Sequence, residues 1–334
     1  MTTSPTTLPP EMYAAIEREL LATFFAKRPA QYFQQPGFKK DMEDHVEKRY
    51  AACRDRLIPW ASRYVDFSGA RVLEIGCGTG SSTAAFAEVS REVFGYDIVL
   101  NSVQGAERRL AIMGVENARV AHEPAASVLE RVMREHAGGV DIIVLYAVLE
   151  HMTIVERFEA LEAYWKLLRP GGVVIIGDTP NRLIFNSQHT SGLPFFDWLP
   201  DEIALRYFDR SPRVGFVDTM RRVMRDAPET ASDVLDRWGR GVSYHEFELA
   251  LGDLNRIVVG DGFDPEVVEW LPLAYDEALL ASYFVHAKID VPLGFARRQL
   301  LLVLRKPREG DPPRAERRSV EFRAAGWRPA AQSL

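Results

Sequence analysis

The chain has 334 residues, 47% of them hydrophobic and 26% charged, an ordinary globular mixture with room for one or two domains of roughly 100–200 residues. Two cysteines, Cys53 and Cys77, exclude a disulfide framework or a multi-cysteine zinc site, and a net charge of −6 speaks against a broad electrostatic grip on nucleic acid or anionic lipid. With no apolar run near the ~18 residues of a membrane helix and no signal-peptide pattern at the start, the expectation is a cytoplasmic protein without stable membrane association.

Residues 1–10 are Thr/Pro-rich and read as a mobile start. Residues 11–66 read as helical. Met42, Val46, Tyr50, Cys53 and Leu57 fall at three- and four-residue spacings, one apolar stripe, and Pro59 should kink or end that helix. From residue 70 short apolar runs alternate with helical stretches. The strand-like runs are 71–75, 92–96, 118–121, 141–145 and 173–176, and the helical stretches are roughly 81–89, 101–113, 125–136 and 153–168. That alternation predicts an α/β fold, a doubly wound, mostly parallel sheet with helices on both faces. Residues 181–240 interrupt it with loops and amphipathic helices carrying seven aromatics between Phe185 and Phe216. Two further strands, near 266–271 and 298–305, complete a seven-stranded sheet. The tail, 307–334, carries Arg, Pro and Glu without periodicity and reads as disordered.

The most informative segment is Val72 to Gly80, VLEIGCGTG, in which an apolar strand runs into Gly76, Gly78 and Gly80 and then a helix. Glycines at these positions let a ligand lie against bare backbone at a helix N-terminus. Ser81 breaks the Gly-x-Gly-x-x-Gly spacing of dinucleotide sites, and Asp97 ends the second strand where a carboxylate can hold a ribose diol.

This segment resembles motif I of the class I S-adenosylmethionine-dependent methyltransferases, in a small-molecule, quinone-biosynthesis-like branch. The resemblance extends to VFGYD at 93–97, VDIIVLYAVLEHM at 140–152, LLRPGG at 167–172 and the terminal strand at 298–305. It implies a Rossmann-like sheet with an antiparallel last strand, and S-adenosylmethionine as cofactor. Residues 67–306 would then be the methyltransferase domain, 1–66 an N-terminal helical cap, and 181–240 a cap or lid inserted between strands 5 and 6. By the same resemblance Gly76, Cys77, Gly78 and Gly80 pass the methionine end and ribose, and Glu74 orients the loop or the ammonium. Asp97 would hold the ribose and Ile98 pack on adenine. Glu123 stands where the family usually has an adenine-contacting Asp, and Leu145 and Tyr146 would lie under the methionine part.

The reaction expected is in-line transfer to a small-molecule acceptor, O-methylation of a hydroxylated metabolite, sugar or lipid precursor, with N-methylation the alternative. A nicotinamide-dependent oxidoreductase is the alternative from another class. A hydroxyl acceptor needs a base, and three histidines are candidates. His151, with Glu150, follows the fourth strand on the ligand edge and otherwise caps the next helix. His189 lies in the insertion. His245 follows Tyr244 in Ser243-Tyr244-His245-Glu246, a capping-box pattern whose Ser243 and Glu246 read as structural. His45 and His286 read as surface or packing residues without partners. Tyr146, Glu150, Asn181 and Tyr244 are the candidate acceptor contacts. Phe185, Phe195, Phe196, Trp198, Tyr207 and Phe208 either line the acceptor pocket or hold the insertion together. No Asp/Asn cluster follows the fourth strand, so no metal is expected. The Asn/Asp-Pro-Pro-aromatic run of nucleic-acid amino methyltransferases is also missing there, so nucleic acid is not expected as a substrate. A homodimer is allowed.

Overall fold

Six of the expected strands form where the apolar runs lie in the computed structural model, which describes residues 8–311. They are β1 Arg71–Ile75, β2 Glu92–Asp97, β3 Ala118–His122, β4 Val140–Tyr146 and β5 Leu168–Pro180, with β7 at Gln299–Arg305. The start read as mobile, up to residue 7, and the tail from 312 onward lie outside the described residues. β6 is Val258–Asp261, and it corrects the strand expected at 266–271. That stretch is instead a helix, Pro265–Trp270. Pro265 presets the first helical turn, and Val267, Trp270 and Leu271 reach one core at helical spacing.

The strand order is β3-β2-β1-β4-β5-β7-β6, with β7 antiparallel to both neighbours and the other adjacent pairs parallel. The alternation of side chains across each strand divides the apolar residues between two cores. Leu73, Ile75, Ile143, Leu145, Ile176 and Leu302 belong to one, and Val72, Ile142, Val144, Ile175 and Val303 to the other. Each such side chain contributes roughly 1.5–3 kcal/mol by leaving water.

The N-terminal residues cover the second core. A helix, Pro10–Ala22, precedes a helical run over 38–61 that contains two π-helical turns, Asp44–Lys48 and Cys53–Leu57. The stripe Met42, Val46, Tyr50, Cys53 and Leu57 is buried as its spacing requires. The run ends at Ala61, just past Pro59, whose missing amide follows the widened turn. Arg109, fully buried on the helix Leu100–Ile112, locks this layer to the sheet. Its Nε donates to Thr79 O at 2.8 Å and its Nη1 to Val46 O at 2.8 Å, while Nη2 donates to His45 O.

Between β5 and β6 the insertion folds around its own cluster of Phe196, Phe208, Phe216, Met220 and Leu235. Phe196 and Phe208 therefore hold the insertion together. Phe185, Phe195 and Trp198 meet one another instead, with Phe195 and Trp198 50% and 48% exposed. No described helix is long and apolar enough to cross a membrane.

Replacing Arg109 with Met should take the guanidinium from three buried carbonyls, of which His45 O keeps the Ser81 hydroxyl. We expect a loss of roughly 2–4 kcal/mol in urea unfolding. A change under about 1 kcal/mol would show that the guanidinium does not hold the N-terminal layer.

Candidate active site

The chain leaves β1 through three left-handed glycines, Gly76 (φ +74°), Gly78 (φ +52°) and Gly80 (φ +76°). A Cβ on Gly76 would stand 2.7 Å from Val148, and one on Gly80 2.9 Å from Ala106, so both are needed for close packing. Gly78 is different: nothing lies within 4 Å of where its Cβ would be. Its backbone is bare on the open side of the loop.

Two carboxylates shape this turn. Asp97 accepts from Gly78 N at 2.9 Å and Val99 N at 2.8 Å, joining the end of β2 to the loop. Burial raises its pKa, and these two amides oppose the rise. Glu74 is wholly buried and accepts from Ser82 Oγ and from Thr83 Oγ1, the latter at 2.5 Å, so it orients the loop through the following helix. Cys77 is buried with a thiol pKa raised by burial, and it lies against Gly95. Ile98, Val99 and Leu100 are each about half exposed beside Asp97, an apolar face open to a flat ligand.

Two other expected cofactor contacts are occupied otherwise. The Glu123 carboxylate accepts from Ser127 Oγ and pairs with Arg131 at 2.9 Å, interactions that lower its pKa. Leu145 is fully buried, so its side chain supports the site without lining it.

At the ends of β4 and β5, Ala147 (φ +54°) and Asp178 (φ +50°) hold left-handed backbone that non-glycine residues seldom adopt. The Tyr146 ring packs on Gly177, where a Cβ would stand 2.6 Å away. Asp178 opens to solvent, yet the dense packing around it partly desolvates the carboxyl and raises its pKa. Arg49, an exposed residue of the N-terminal helical run, faces both Asp178 and Glu150 and opposes the rise at each.

Glu150 is fully buried, and neither carboxyl oxygen has a hydrogen-bond partner. Burial pushes its pKa up to about 8, with Asp178 adding to the effect. His151 lies beside it, its Nε2 3.8 Å from Glu150 Oε1. The His151 Nδ1 is 3.0 Å from Arg237 O, a carbonyl that can only accept. Nδ1 therefore carries the hydrogen in the neutral ring, and Nε2 keeps a free lone pair. His189 comes in from the insertion, its ring 5.6 Å from that of His151. Burial, then His151 and Arg213, lower its pKa to about 4. The ligand atoms of Glu150, His151 and His189 all lie within 4.8 Å of one another, a spacing that can hold a cation.

The other expected contacts lie outside this cluster. His245 is exposed, meets Ser243 Oγ at 3.2 Å and stacks on Tyr244, which packs toward Phe284 and Phe295. Asn181 is buried, donating to Phe295 O and Arg297 O at 2.6 and 2.8 Å and accepting from Leu183 N at 2.9 Å, which commits its amide to structure. Arg157 and Arg237 carry no signal in the sequence, and His45, a packing residue, differs from its reading in one respect. His45 does have partners: it packs on Phe24 and Phe25 and meets Thr79 Oγ1 at 3.3 Å, and burial lowers its pKa to about 3. Arg157 is fully buried; its Nε donates to Leu149 O at 2.9 Å and Met152 O at 3.1 Å, the carbonyls bracketing Glu150 and His151. Its Nη1 donates to Gly241 O and to Glu246 Oε1, fastening that loop to the insertion's return. Arg237 supplies the His151 carbonyl contact and pairs with Glu156.

A methyltransferase-domain model matches residues 42–211, half of the chain. The chain belongs to the class I methyltransferase family. It is 30% identical over 129 residues to a probable S-adenosylmethionine-dependent methyltransferase of Mycolicibacterium smegmatis, covering 38% of this chain and 45% of that protein. It is 32% identical over 118 residues to a ubiquinone biosynthesis O-methyltransferase of Caulobacter, covering 35% and 44%. The chain thus spans less than half the length of these curated relatives. The N-methyltransferase NodS of Bradyrhizobium japonicum, a solved structure, is 15% identical with a TM-score of 0.41, over 76% of this chain and 94% of that one. S-adenosylmethionine is the family's cofactor, and the residues present fit it. The open backbone at Gly78 leaves room for its amino-acid end, and the half-exposed Ile98 beside Asp97 offers a face for its adenine.

Because the folded-state pKa of Glu150, about 8, lies above its ordinary 4.5, the folded protein keeps a proton that the unfolded chain releases. Stability is then full below the ordinary value and is lost as pH rises toward 8. Glu150→Gln removes that loss. Its stability advantage over the parent in urea unfolding should grow by about 2–4 kcal/mol between roughly pH 5 and pH 8. Parallel pH profiles would contradict the buried, uncompensated carboxyl.

Proposed function

We propose that this chain transfers a methyl group from S-adenosylmethionine to a hydroxyl of a small metabolite, sugar or lipid precursor, with His151 as the base. The observation that carries the reading is the His151 ring at the end of β4, with Nδ1 tied to Arg237 O and Nε2 left free beside a carboxyl without partners. The names of the ubiquinone biosynthesis relatives, which act on oxygen, support a hydroxyl acceptor.

The bound cofactor supplies a methyl group on a cationic sulfur, which leaves as a neutral thioether. The glycine loop, Asp97 and Ile98 would hold the cofactor. Tyr146, at the end of β4, provides a floor for the acceptor. His151 Nε2 takes the hydroxyl proton and, being exposed, then passes it to water, while Glu150, 3.8 Å away, balances the imidazolium in those molecules whose carboxyl is already ionised. The N-terminal helices and the insertion act as caps that align the acceptor and exclude water. The protein works in the cytoplasm.

Gly78→Val should abolish S-adenosylmethionine binding in calorimetry, and Asp97→Ala should weaken it by ~1–3 kcal/mol. His151→Ala should keep cofactor affinity. It should lower the rate roughly 10²–10⁴-fold when methyl-labelled cofactor is offered with hydroxylated metabolites and products are followed by mass spectrometry. A His151→Ala enzyme of near-normal rate, or a product methylated on nitrogen, would contradict the assignment.

A further inference from the structure

A groove of about 590 Å³ lies at the edge of the sheet opposite the glycine loop. Its position follows from its lining. Ala70 precedes β1, Asp141 begins β4, and Arg305 ends the antiparallel β7, all at the edge where the parallel strands start. Ligand pockets commonly have volumes of about 300–1,000 Å³, so the groove is large enough for more than a single small ion.

Four arginines line it: Arg91, Arg169, Arg305 and Arg308. Three carboxylates, Asp66, Asp141 and Asp311, line it as well, and the balance of charge alone decides little. The hydrogen bonds decide more. Each carboxylate is engaged by a backbone amide of its own surroundings. Asp66 accepts from Ser68 N at 2.9 Å, Asp141 from Arg71 N at 2.9 Å, and Asp311 from Arg308 N at 2.7 Å. Asp141 also takes Arg169 Nη1 at 2.9 Å.

Arg169 is committed, giving Nη1 to Asp141 and Nη2 to Gly138 O, but the other three guanidinium groups keep spare donors. The Arg308 guanidinium has no hydrogen bond or ion pair among the described residues. It lies across Gly171, where any Cβ would collide with it. Arg305 gives Nη2 to Tyr64 O, which anchors the fork while other donors stay available. Arg91 is exposed and holds Glu92 through Nη2 at 2.9 Å. Planar forks with spare N–H groups match the oxygens of phosphate better than any neutral ligand. Several of them around one groove favour a ligand with more than one phosphoryl group, because a single charge would engage only part of the set.

We propose that this groove binds a small molecule bearing a diphosphate. The site stands apart from the glycine loop and from His151, so it is independent of the methyl-transfer reading.

The test uses the full chain and inorganic pyrophosphate in titration calorimetry, with S-adenosylmethionine affinity and thermal unfolding as controls. The parent should bind pyrophosphate saturably. The double variant Arg91→Ser, Arg308→Ser should bind about tenfold or more weakly while cofactor affinity and melting stay unchanged. Arg308→Ser alone removes no side-chain hydrogen bond or ion pair among the described residues, only the packing across Gly171, so it keeps the test decisive if the double variant unfolds, and it should still weaken binding several-fold. Absence of saturable binding by the parent, or equal binding by the variants, would overturn the proposal.

Discussion

The arrangement depends on one constraint, the turn at the end of β1. The chain must reverse there through three left-handed residues, and the bond from Gly78 N to Asp97 fixes that turn against the end of β2. From this point the layers follow. Glu74 holds the next helix through Ser82 and Thr83, and Arg109 carries the loop's Thr79 carbonyl across to Val46 and His45 in the N-terminal layer. The same bonds that close the loop leave Gly78 bare on its outer side. The proposed binding surface and the structural turn are thus one feature, in keeping with a helix N-terminus that favours ligand approach.

The second centre is electrostatic. β4 ends in a strained segment that delivers Glu150 into a dry environment and His151 to its border. Burying a carboxyl without partners is costly, and the cost appears as a raised pKa rather than as a compensating bond. Groups kept in this condition concentrate at functional sites. Arg157 and Arg237 hold the loop from two sides, one buried and one exposed, and both connect it to the insertion. In the proposed reaction, acceptor seating and base orientation are therefore mechanically joined.

Much of the fold was legible because doubly covered strands are short and continuously apolar. Val72–Ile75 and Ile142–Leu145 could hardly be anything else. The Pro265–Trp270 helix was misread because a six-residue stretch with Val267, Val268 and Leu271 satisfies both periods, and the proline that decides the matter acts on backbone, not on pattern. The glycine loop and Asp97 were legible because their spacing is set by local turn geometry. The pairing of His189 with Glu150 and His151 was not, since it exists only after the insertion folds back. Buried arginines were equally hidden. In a sequence, Arg109 and Arg157 look like solvated charges, and only the carbonyls they meet reveal them. Asn181 misled for the converse reason: its position at the sheet edge suggested a ligand contact, but its amide is satisfied by the backbone around β7.

The proposed reaction requires one cofactor that spans the glycine loop and presents its sulfur to the end of β4. A crystal structure of the complex with S-adenosylhomocysteine tests that requirement most directly. The ligand's backbone contact should fall at Gly78, its ribose hydroxyls on Asp97, its adenine on Ile98, and its sulfur on the side of Tyr146 and His151. A ligand seated elsewhere, or one whose sulfur points away from β4, would contradict it.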